Sequence, residues 1–423
     1  MDRRQMLVQH AREFFGERIE DVLHNIRQDR QDLRGWQEPA HVRAVVRRTV
    51  REDREGDDSS APGRVAVSEL EVCRTAGEPE RGQQREAVGQ LLEAGTVALE
   101  KVIRNTAMEL TPEETAGLEC VLLLYGRPAL LLDDDGQLAG VPPFWNVLED
   151  QRDEIETIQR GVGRIELLGH PEYDWAGTGF LVTDEILLTS RRVGELFTEK
   201  RDEHWQFRPG ISVWMNYRSA FQQVAEAGYR VRNVVGMHDQ YDLALLEVER
   251  PQSNGRTPVP LALAAVEPPY LENRPIYLLG YPVRDARRNE PEAMARVFRD
   301  VYNVKRVMPG QLRGVLTFGE VRLLRHDAAP LGLTAGSPLL DLESHEVIGM
   351  QTTSRYLDGA TAVPLYLLRD DPLIRRAGIT FAVATREERE STTAQLERLS
   401  RTRFWRETQA SIQELYRKAF GER

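Results

Sequence analysis

The sequence predicts an α+β protein with a mainly helical N-terminal region, a β-rich middle and a C-terminal helix. Before residue 160, apolar residues recur at helical spacing, whereas from Gly161 onward short β-type segments alternate with Gly and Pro. Apolar positions at helical spacing return over 386–423. A chain of 423 residues is long enough for two to three compact units. We therefore predict a helical segment over 1–63, a small α/β or helical domain over 64–160, a β-barrel domain over 161–385 and a helical extension over 386–423.

Helix and turn signals define the first region in more detail. Apolar residues on one face predict a helix over 6–34, and a second helix is expected over 40–54. Gly, Asp, Ser and Pro over 56–63 indicate a loop, which a short strand over 65–72 would follow. A further helix is predicted over 84–110.

Thr111-Pro112-Glu113-Glu114 is a strong helix start. Threonine can cap the free backbone N–H groups, proline suits the first helical position, and a glutamate at the third position can complete a capping box. The helix should extend to Gly126, and a buried strand should follow over 129–132. The acidic run over 133–136 favours a tight turn over a cation site. A charged helix is then expected over 144–160.

The β-rich part contains many short strands, which is typical of a sandwich or a barrel. The predicted strands are Ile165–Leu168, Gly179–Val182, Ile186–Thr189, Ile211–Met215, Val231–Val235, Leu243–Val248, Ile276–Gly280, Val315–Phe318 and Val347–Thr352.

Composition excludes several classes of function. The longest apolar runs fall short of the roughly 20 residues of a membrane helix. A net charge of −11 argues against a general nucleic-acid surface. Two distant cysteines, Cys73 and Cys120, argue against a disulfide-stapled secreted fold, and the charged N-terminus lacks the pattern of a secretory signal. These features favour the cytoplasm, and the preference for Arg over Lys suggests a bacterial source.

Three motifs occur in order within the β-rich part. The first is Gly177-Thr178-Gly179-Phe180-Leu181-Val182, followed by the strand Ile186–Thr189 and Ser190-Arg191-Arg192-Val193. The second is Asp242-Leu243-Ala244-Leu245-Leu246, and the third is Leu333-Thr334-Ala335-Gly336-Ser337-Pro338-Leu339. Together they resemble the signature of trypsin-like serine peptidases of the bacterial two-barrel kind, and the strand Val347–Met350 with Ala362-Val363-Pro364 resembles the end of that fold. The resemblance covers about 161–380 and implies a double β-barrel.

The resemblance also assigns roles to positions of the site. Arg192 stands where the family has its catalytic histidine, and Asp242 matches the aspartate that orients this histidine. Ala335 stands at the serine nucleophile. Leu333 replaces the glycine that supplies one amide of the oxyanion hole, and position 335 supplies the other. A side chain at 333 disfavours the backbone conformation that directs the amide into the site.

Such a site lacks the chemistry of peptide hydrolysis. A guanidinium remains protonated at any useful pH and cannot act as a general base, and alanine has no nucleophilic atom. We therefore expect an inactive pseudoprotease in which Arg192 forms a charge-assisted pair with Asp242. The alternative is a serine endopeptidase with a non-standard site, or one inactivated experimentally at position 335. Arg192 and Leu333 argue against the experimental origin.

Replacement groups for the lost triad are scarce in the sequence. Ser337 lies two residues beyond the nucleophile position, and it is a small residue before a proline. The four histidines of the β-rich segment beyond residue 200 fit ordinary loop roles; they are His204, His238, His326 and His345. Phosphate-binding, zinc and dinucleotide motifs do not occur, so the sequence implies no cofactor and no metal.

An inactive protease fold keeps its substrate cleft, and the family binds peptide as an added strand beside the segment after the nucleophile. The partner is therefore expected to be a protein or a peptide. The predicted peptide-binding edge is the segment 347–354, and its named positions are Val347, Ile348, Gly349, Met350 and Gln351. Cytosolic trypsin-like domains of bacteria often act in stress or defence systems, so the resemblance implies a regulatory module there. The sequence does not set the oligomeric state.

Overall fold

The computed structural model describes residues 3–32, 78–104, 110–132, 136–138, 141–202, 204–217, 228–249, 258–282, 304–328, 334–355 and 359–382. The chain divides into two units, Met1–Thr380 and Phe381–Arg423, and all elements below belong to the first. The elements predicted over 40–54, 56–63, 65–72 and 386–423 lie outside the described residues. The predicted domain boundaries stay a prediction.

The N-terminal region is helical. Its longer helices are α1 (Arg3–Phe15), α2 (Ile19–Asp32), α3 (Glu78–Ile103) and α4 (Pro112–Val121), and short α5 (Val147–Asp150) and α6 (Arg152–Ile158) precede the barrels. Gly16, at φ +50°, and a 3₁₀ turn over Gly16–Arg18 divide the helix predicted over 6–34. The predicted capping box at Thr111 is confirmed, since its side chain accepts from the Glu114 N–H and Glu114 accepts from the Thr111 N–H. The helix then widens into a π turn over Leu122–Gly126.

Helices α3 and α4 approach each other closely because both have a glycine at the contact. A Cβ on Gly95 would lie 2.5 Å from the Gly117 carbonyl oxygen, and a Cβ on Gly117 would lie 2.2 Å from the Gly95 nitrogen. Either side chain would push the helices apart.

The first barrel has six antiparallel strands in the closed order β2-β3-β4-β9-β8-β7. They are β2 (Val162–Leu168), β3 (Trp175–Leu181), β4 (Ile186–Thr189), β7 (Ser212–Asn216), β8 (Gly228–Met237) and β9 (Ala244–Val248). Alternate residues such as Ile165, Leu167 and Met215 fill its interior. Helix α7 (Arg191–Phe197) follows β4, and the hairpin of β5 (Thr198–Arg201) and β6 (His204–Phe207) follows α7.

The second barrel closes in the order β11-β10-β13-β14-β15-β12, because β11 pairs with both β10 and β12. Its strands are β10 (Pro275–Gly280), β11 (Arg306–Phe318), β12 (Val321–His326), β13 (Pro338–Asp341), β14 (Val347–Arg355) and β15 (Gly359–Pro364). Strand β1 (Leu130–Leu131) adds to β11, and helix α8 (Pro372–Arg376) follows β15. Two closed six-stranded barrels after a helical region confirm the predicted fold class.

Buried charged side chains connect the helical region with the second barrel. Arg127, after the π turn, donates two hydrogen bonds to Asp327, from Nε to Oδ1 at 2.6 Å and from Nη2 to Oδ2 at 2.7 Å. The Arg313 Nε donates to the same carboxylate at 2.5 Å. Both guanidinium groups lie over the ring of Phe14 in α1, at 4.0 and 5.5 Å from its centroid. The helical region is thereby fastened to the second barrel.

A second buried cation, Lys305, donates from Nζ to Gln159 O, Gln159 Oε1 and Tyr217 O at 2.7–2.9 Å. Burial holds the pKa of its ammonium well below the ordinary lysine value. No helix in the ranges given above is long and apolar enough to cross a membrane.

Candidate functional site

The site predicted from the motifs assembles where β4 ends and α7 begins. The Ser190 side chain caps α7 by accepting from the Val193 N–H at 3.2 Å. The next backbone donor, the Arg192 N–H, is 3.0 Å from Asp242 Oδ1, so the start of α7 holds this carboxylate. Since β4 pairs with β9, which begins two residues after Asp242, the barrel itself brings these segments together.

Arg192 contacts Asp242 also through its side chain, as expected, but not in the bidentate form. Its Nε lies 3.4 Å from Asp242 Oδ2, and 61% of the arginine side chain is exposed. Oδ2 is buried and receives no hydrogen bond of regular geometry from any described residue. Burial raises the pKa of Asp242 above its ordinary value, although the N–H and the charge of Arg192 act in the opposite direction.

The loop over Thr334–Pro338, here the 334–338 loop, brings Ala335 to the same place. The Ala335 carbonyl accepts from the Thr178 N–H at 3.3 Å. A Cβ on Gly177 would be 2.7 Å from Val193 Cγ2 and 3.3 Å from the Ala335 oxygen, so this glycine lets α7 and the loop meet across β3. Ala335 also packs against the core of the first barrel.

Gly336 fixes the path of the 334–338 loop. Its φ of +86° is in the left-handed region, and a Cβ there would be 2.1 Å from the Thr178 carbonyl oxygen. Thr178 also accepts at Oγ1 from the Tyr281 N–H at 3.1 Å, just after β10 of the second barrel. Thr178 therefore connects the first barrel with the loop and with the second barrel. The sequence motifs give no signal for this role of Thr178.

The assembled groups comprise a carboxylate, a guanidinium and a methyl side chain. The guanidinium cannot accept a proton near neutral pH and the methyl group has no nucleophilic atom, so the positions of the base and the nucleophile lack the chemistry of a serine peptidase. Leu333, the predicted oxyanion-hole position, lies outside the described residues, so its amide is not placed.

The alternative catalytic groups named above do not replace the triad. Ser337 belongs to the 334–338 loop, but it is fully buried, its Oγ has no hydrogen-bond partner among the described residues, and this atom lies 2.0 Å from the point that a Cβ on Gly280 would occupy. His238 Nδ1 accepts from the Gln240 and Tyr241 N–H groups at 3.1 and 3.0 Å, so its Nε2 carries a proton toward Asp371 at 3.3 Å. These contacts give both residues structural roles.

The other three of the four histidines named above also do not take the place of the catalytic histidine. His345, at φ +58°, lies between the Tyr277 hydroxyl at 3.0 Å and Gln151 Oε1 at 2.8 Å. Burial lowers the pKa of His326 to about 4, and His204 is exposed on β6. In the part of the chain that the structure describes, Asp242 forms no ion pair with a histidine.

The first part of the predicted peptide-binding edge, over 347–351, is paired on both sides. Val347–Met350 pairs with β13 on one side, and Gly349–Gln351 pairs with β15 on the other. Gln351 also donates its N–H to Ser337 O at 2.8 Å and accepts from the Gly336 N–H at 2.9 Å. Backbone groups that are already paired cannot bind an added strand.

The second part of the predicted edge is open on one side. After a register shift at Thr352, Thr353–Arg355 pairs with β15 only, and no described strand covers the other side of Thr352–Arg355. The sequence signal that could have located it is the length of β13, since Pro338–Asp341 is too short to cover all of β14. Groups of acidic, His or Cys side chains able to hold a metal ion do not occur among the described residues.

The comparison with protein-family models agrees with this architecture. Residues 177–350 match the family model of the trypsin-like peptidase domain. Similar solved structures include the Rv3671c protease from M. tuberculosis in its active form, with 16% identity, a TM-score of 0.38, and coverage of 56% of this chain and 88% of that chain. The inactive form of the same protease shares 17% identity with a TM-score of 0.32, over 52% of this chain and 86% of that chain. No curated protein sequence matches significantly.

Proposed function

We propose that the trypsin-like peptidase domain of this chain is a pseudoprotease that binds an extended protein segment and does not cleave it. The observation that carries the proposal is the contact of Arg192 with Asp242 beside Ala335. In comparable triad enzymes, loss of either the nucleophile or the base removes about a millionfold of the rate. Residual hydrolysis should therefore be undetectable.

Binding is the activity that the remaining parts support. The edge Thr352–Arg355 has a side that no described strand covers, next to the 334–338 loop, and a partner segment can add there as a strand. Main-chain hydrogen bonds would supply affinity, and the side chains around Ala335 would supply selectivity. The cytoplasmic location, the bacterial source and a role in stress or defence belong to the proposal as expectations.

Labelling with a fluorophosphonate probe and digestion of a broad peptide library test the loss of catalysis. We expect neither labelling nor cleavage by the natural sequence. Reproducible labelling or cleavage would favour the competing function, a serine endopeptidase with a non-standard site. The triple substitution Arg192→His, Leu333→Gly and Ala335→Ser serves as the matched positive variant, because it introduces the residue types that active family members have at these three positions.

Photo-crosslinking tests the binding surface. A photoreactive amino acid at Thr353 on the proposed edge should capture a partner peptide, whereas the same group at Phe318 should not. Phe318 is the matched control because its side chain is 63% exposed at the end of β11, away from the 334–338 loop. Equal capture at both positions would contradict binding at this edge.

A further inference from the structure

Two adjacent arginines at the start of α7 have different surroundings. Arg191 uses its donors within the fold, from Nε to Glu195 Oε1 at 2.8 Å and from Nη1 to the His238 carbonyl at 3.1 Å. Arg192 forms an ion pair with one described carboxylate, that of Asp242, and the shortest distance is from Nε. Its terminal nitrogens, Nη1 and Nη2, form no hydrogen bond with any described residue, and its side chain is largely exposed.

A series of contacts connects the segment of Arg192 with the proposed binding edge. Val193, next in the chain, and the Ala335 carbonyl both lie next to Gly177. The following loop residue, Gly336, is bonded through its N–H to Gln351, where the edge begins. Arg192 and Thr352–Arg355 therefore flank the same loop, and a segment that runs along the edge and over Ala335 comes within reach of Arg192.

We propose that Arg192 binds a carboxylate of the docked segment through Nη1 and Nη2. The inference rests on the proposed function and adds the chemical class of the partner. Two parallel N–H donors match the two oxygens of a carboxylate, and such bidentate pairs are among the stronger charge-assisted hydrogen bonds. The charges that face this position are Asp242 and Glu195, and Glu195 is already paired with Arg191. Selectivity therefore depends on the free fork of Arg192 and not on a general positive field.

The carboxylate can come from an Asp or Glu side chain or from the C-terminus of the partner. Arrays of eight-residue peptides presented to the full chain separate these sources. Each sequence appears with an internal acidic residue or its amide counterpart, and with a free or an amidated C-terminus. The pair of peptides whose members bind with different affinity identifies the source of the carboxylate.

We expect the natural sequence to prefer the carboxylate form in one of the two comparisons by about tenfold, the size typical of a hydrogen-bonded charge pair near the surface. Arg192→Met should remove this preference and keep the weaker binding of the neutral peptides, whereas Arg192→Lys should keep part of it. The control is Arg375→Met, which removes an exposed arginine of α8 paired with the equally exposed Asp370. It should leave the preference unchanged.

The outcomes separate the two proposals. Retention of the full carboxylate preference by a folded Arg192→Met variant, or its absence from the natural sequence, would overturn the assignment to Arg192 and leave the binding function standing. Failure of the natural sequence to bind any peptide form would overturn both.

Discussion

Replacement of Arg127 by Met tests how the helical region is attached to the barrels. The Arg127 side chain is 1% exposed, that of Asp327 is 9% exposed, and two hydrogen bonds join them. Removing one partner of a buried ion pair costs about 3–5 kcal/mol. Because Asp327 keeps the Arg313 Nε and the Gln311 N–H as donors, we expect the lower end, about 3 kcal/mol.

Urea unfolding followed by far-UV circular dichroism measures this loss as a lower midpoint. The matched control is Arg375→Met, which breaks an ion pair of similar length on the surface and should leave the midpoint unchanged. A loss below about 1 kcal/mol for Arg127→Met would refute the view that this pair fastens the helices.

The pH dependence offers an independent check. Burial alone would raise the pKa of Asp327, but the charges and hydrogen bonds of Arg127 and Arg313 outweigh it, and the pKa lies below its ordinary value. A carboxylate with a lowered folded-state pKa stabilises the fold above the unfolded pKa, and this stabilisation is lost as the pH falls through the folded pKa. The difference between the natural sequence and Arg127→Met should therefore shrink below about pH 4. An equal difference at pH 3 and pH 7 would contradict the assignment.

Further predictions concern single groups. Because the pKa of Lys305 is lowered in the folded state, the unfolded chain binds the lysine proton more tightly. In urea unfolding, the natural sequence should therefore gain stability over Lys305→Met between pH 7 and pH 9.5. A stability difference that stays the same over this range would contradict the lowered pKa. The raised pKa of Asp242 implies that its negative charge disfavours folding at neutral pH. Asp242→Asn should therefore have a urea midpoint equal to or higher than that of the natural sequence at pH 7. Any such increase should disappear near pH 3, where Asp242 is protonated in both states. Gly336→Ala should lower the thermal stability far more than Gly378→Ala does. Both positions have a positive φ, but only the alanine at 336 would place its Cβ against Thr178. Similar losses for the two variants would refute the packing argument.

Local sequence predicted the strands whose apolar pattern is continuous and missed those formed by long-range pairing. Ile186–Thr189 was predicted to the residue because an apolar run stands between acidic residues and the helix-capping Ser190. Strand β12 was missed because Arg322 and Arg325 interrupt its pattern, and β13 because it follows a Gly-Ser-Pro turn. Pairing with β11, β14 and β15 makes both of them strands.

In the site, too, the sequence predicted some features and did not predict those that depend on long-range contacts. The order of the motifs was sufficient to bring Arg192 and Asp242 together, because β4 and β9 are neighbours in any barrel of this connectivity. The sequence did not show which part of the predicted edge 347–354 is open, because this depends on where β13 ends and on the contacts of Gln351 with the 334–338 loop. The bond between Arg127 and Asp327 spans 200 residues and has no local signal.

The geometry of Arg192 bears on why a cation stands at the histidine position. An arginine that served only to neutralise Asp242 would gain most from a bidentate pair, which would also satisfy the buried Oδ2. The Nε contact at 3.4 Å leaves Oδ2 without a regular hydrogen bond and leaves the pKa of Asp242 raised, so the pair compensates the buried carboxylate incompletely. Arg192 thus pairs incompletely with Asp242, and its Nη1 and Nη2 have no hydrogen-bond partner among the described residues. This arrangement suits a binding residue, because these two nitrogens gain a hydrogen-bonded partner when a carboxylate of the bound segment arrives.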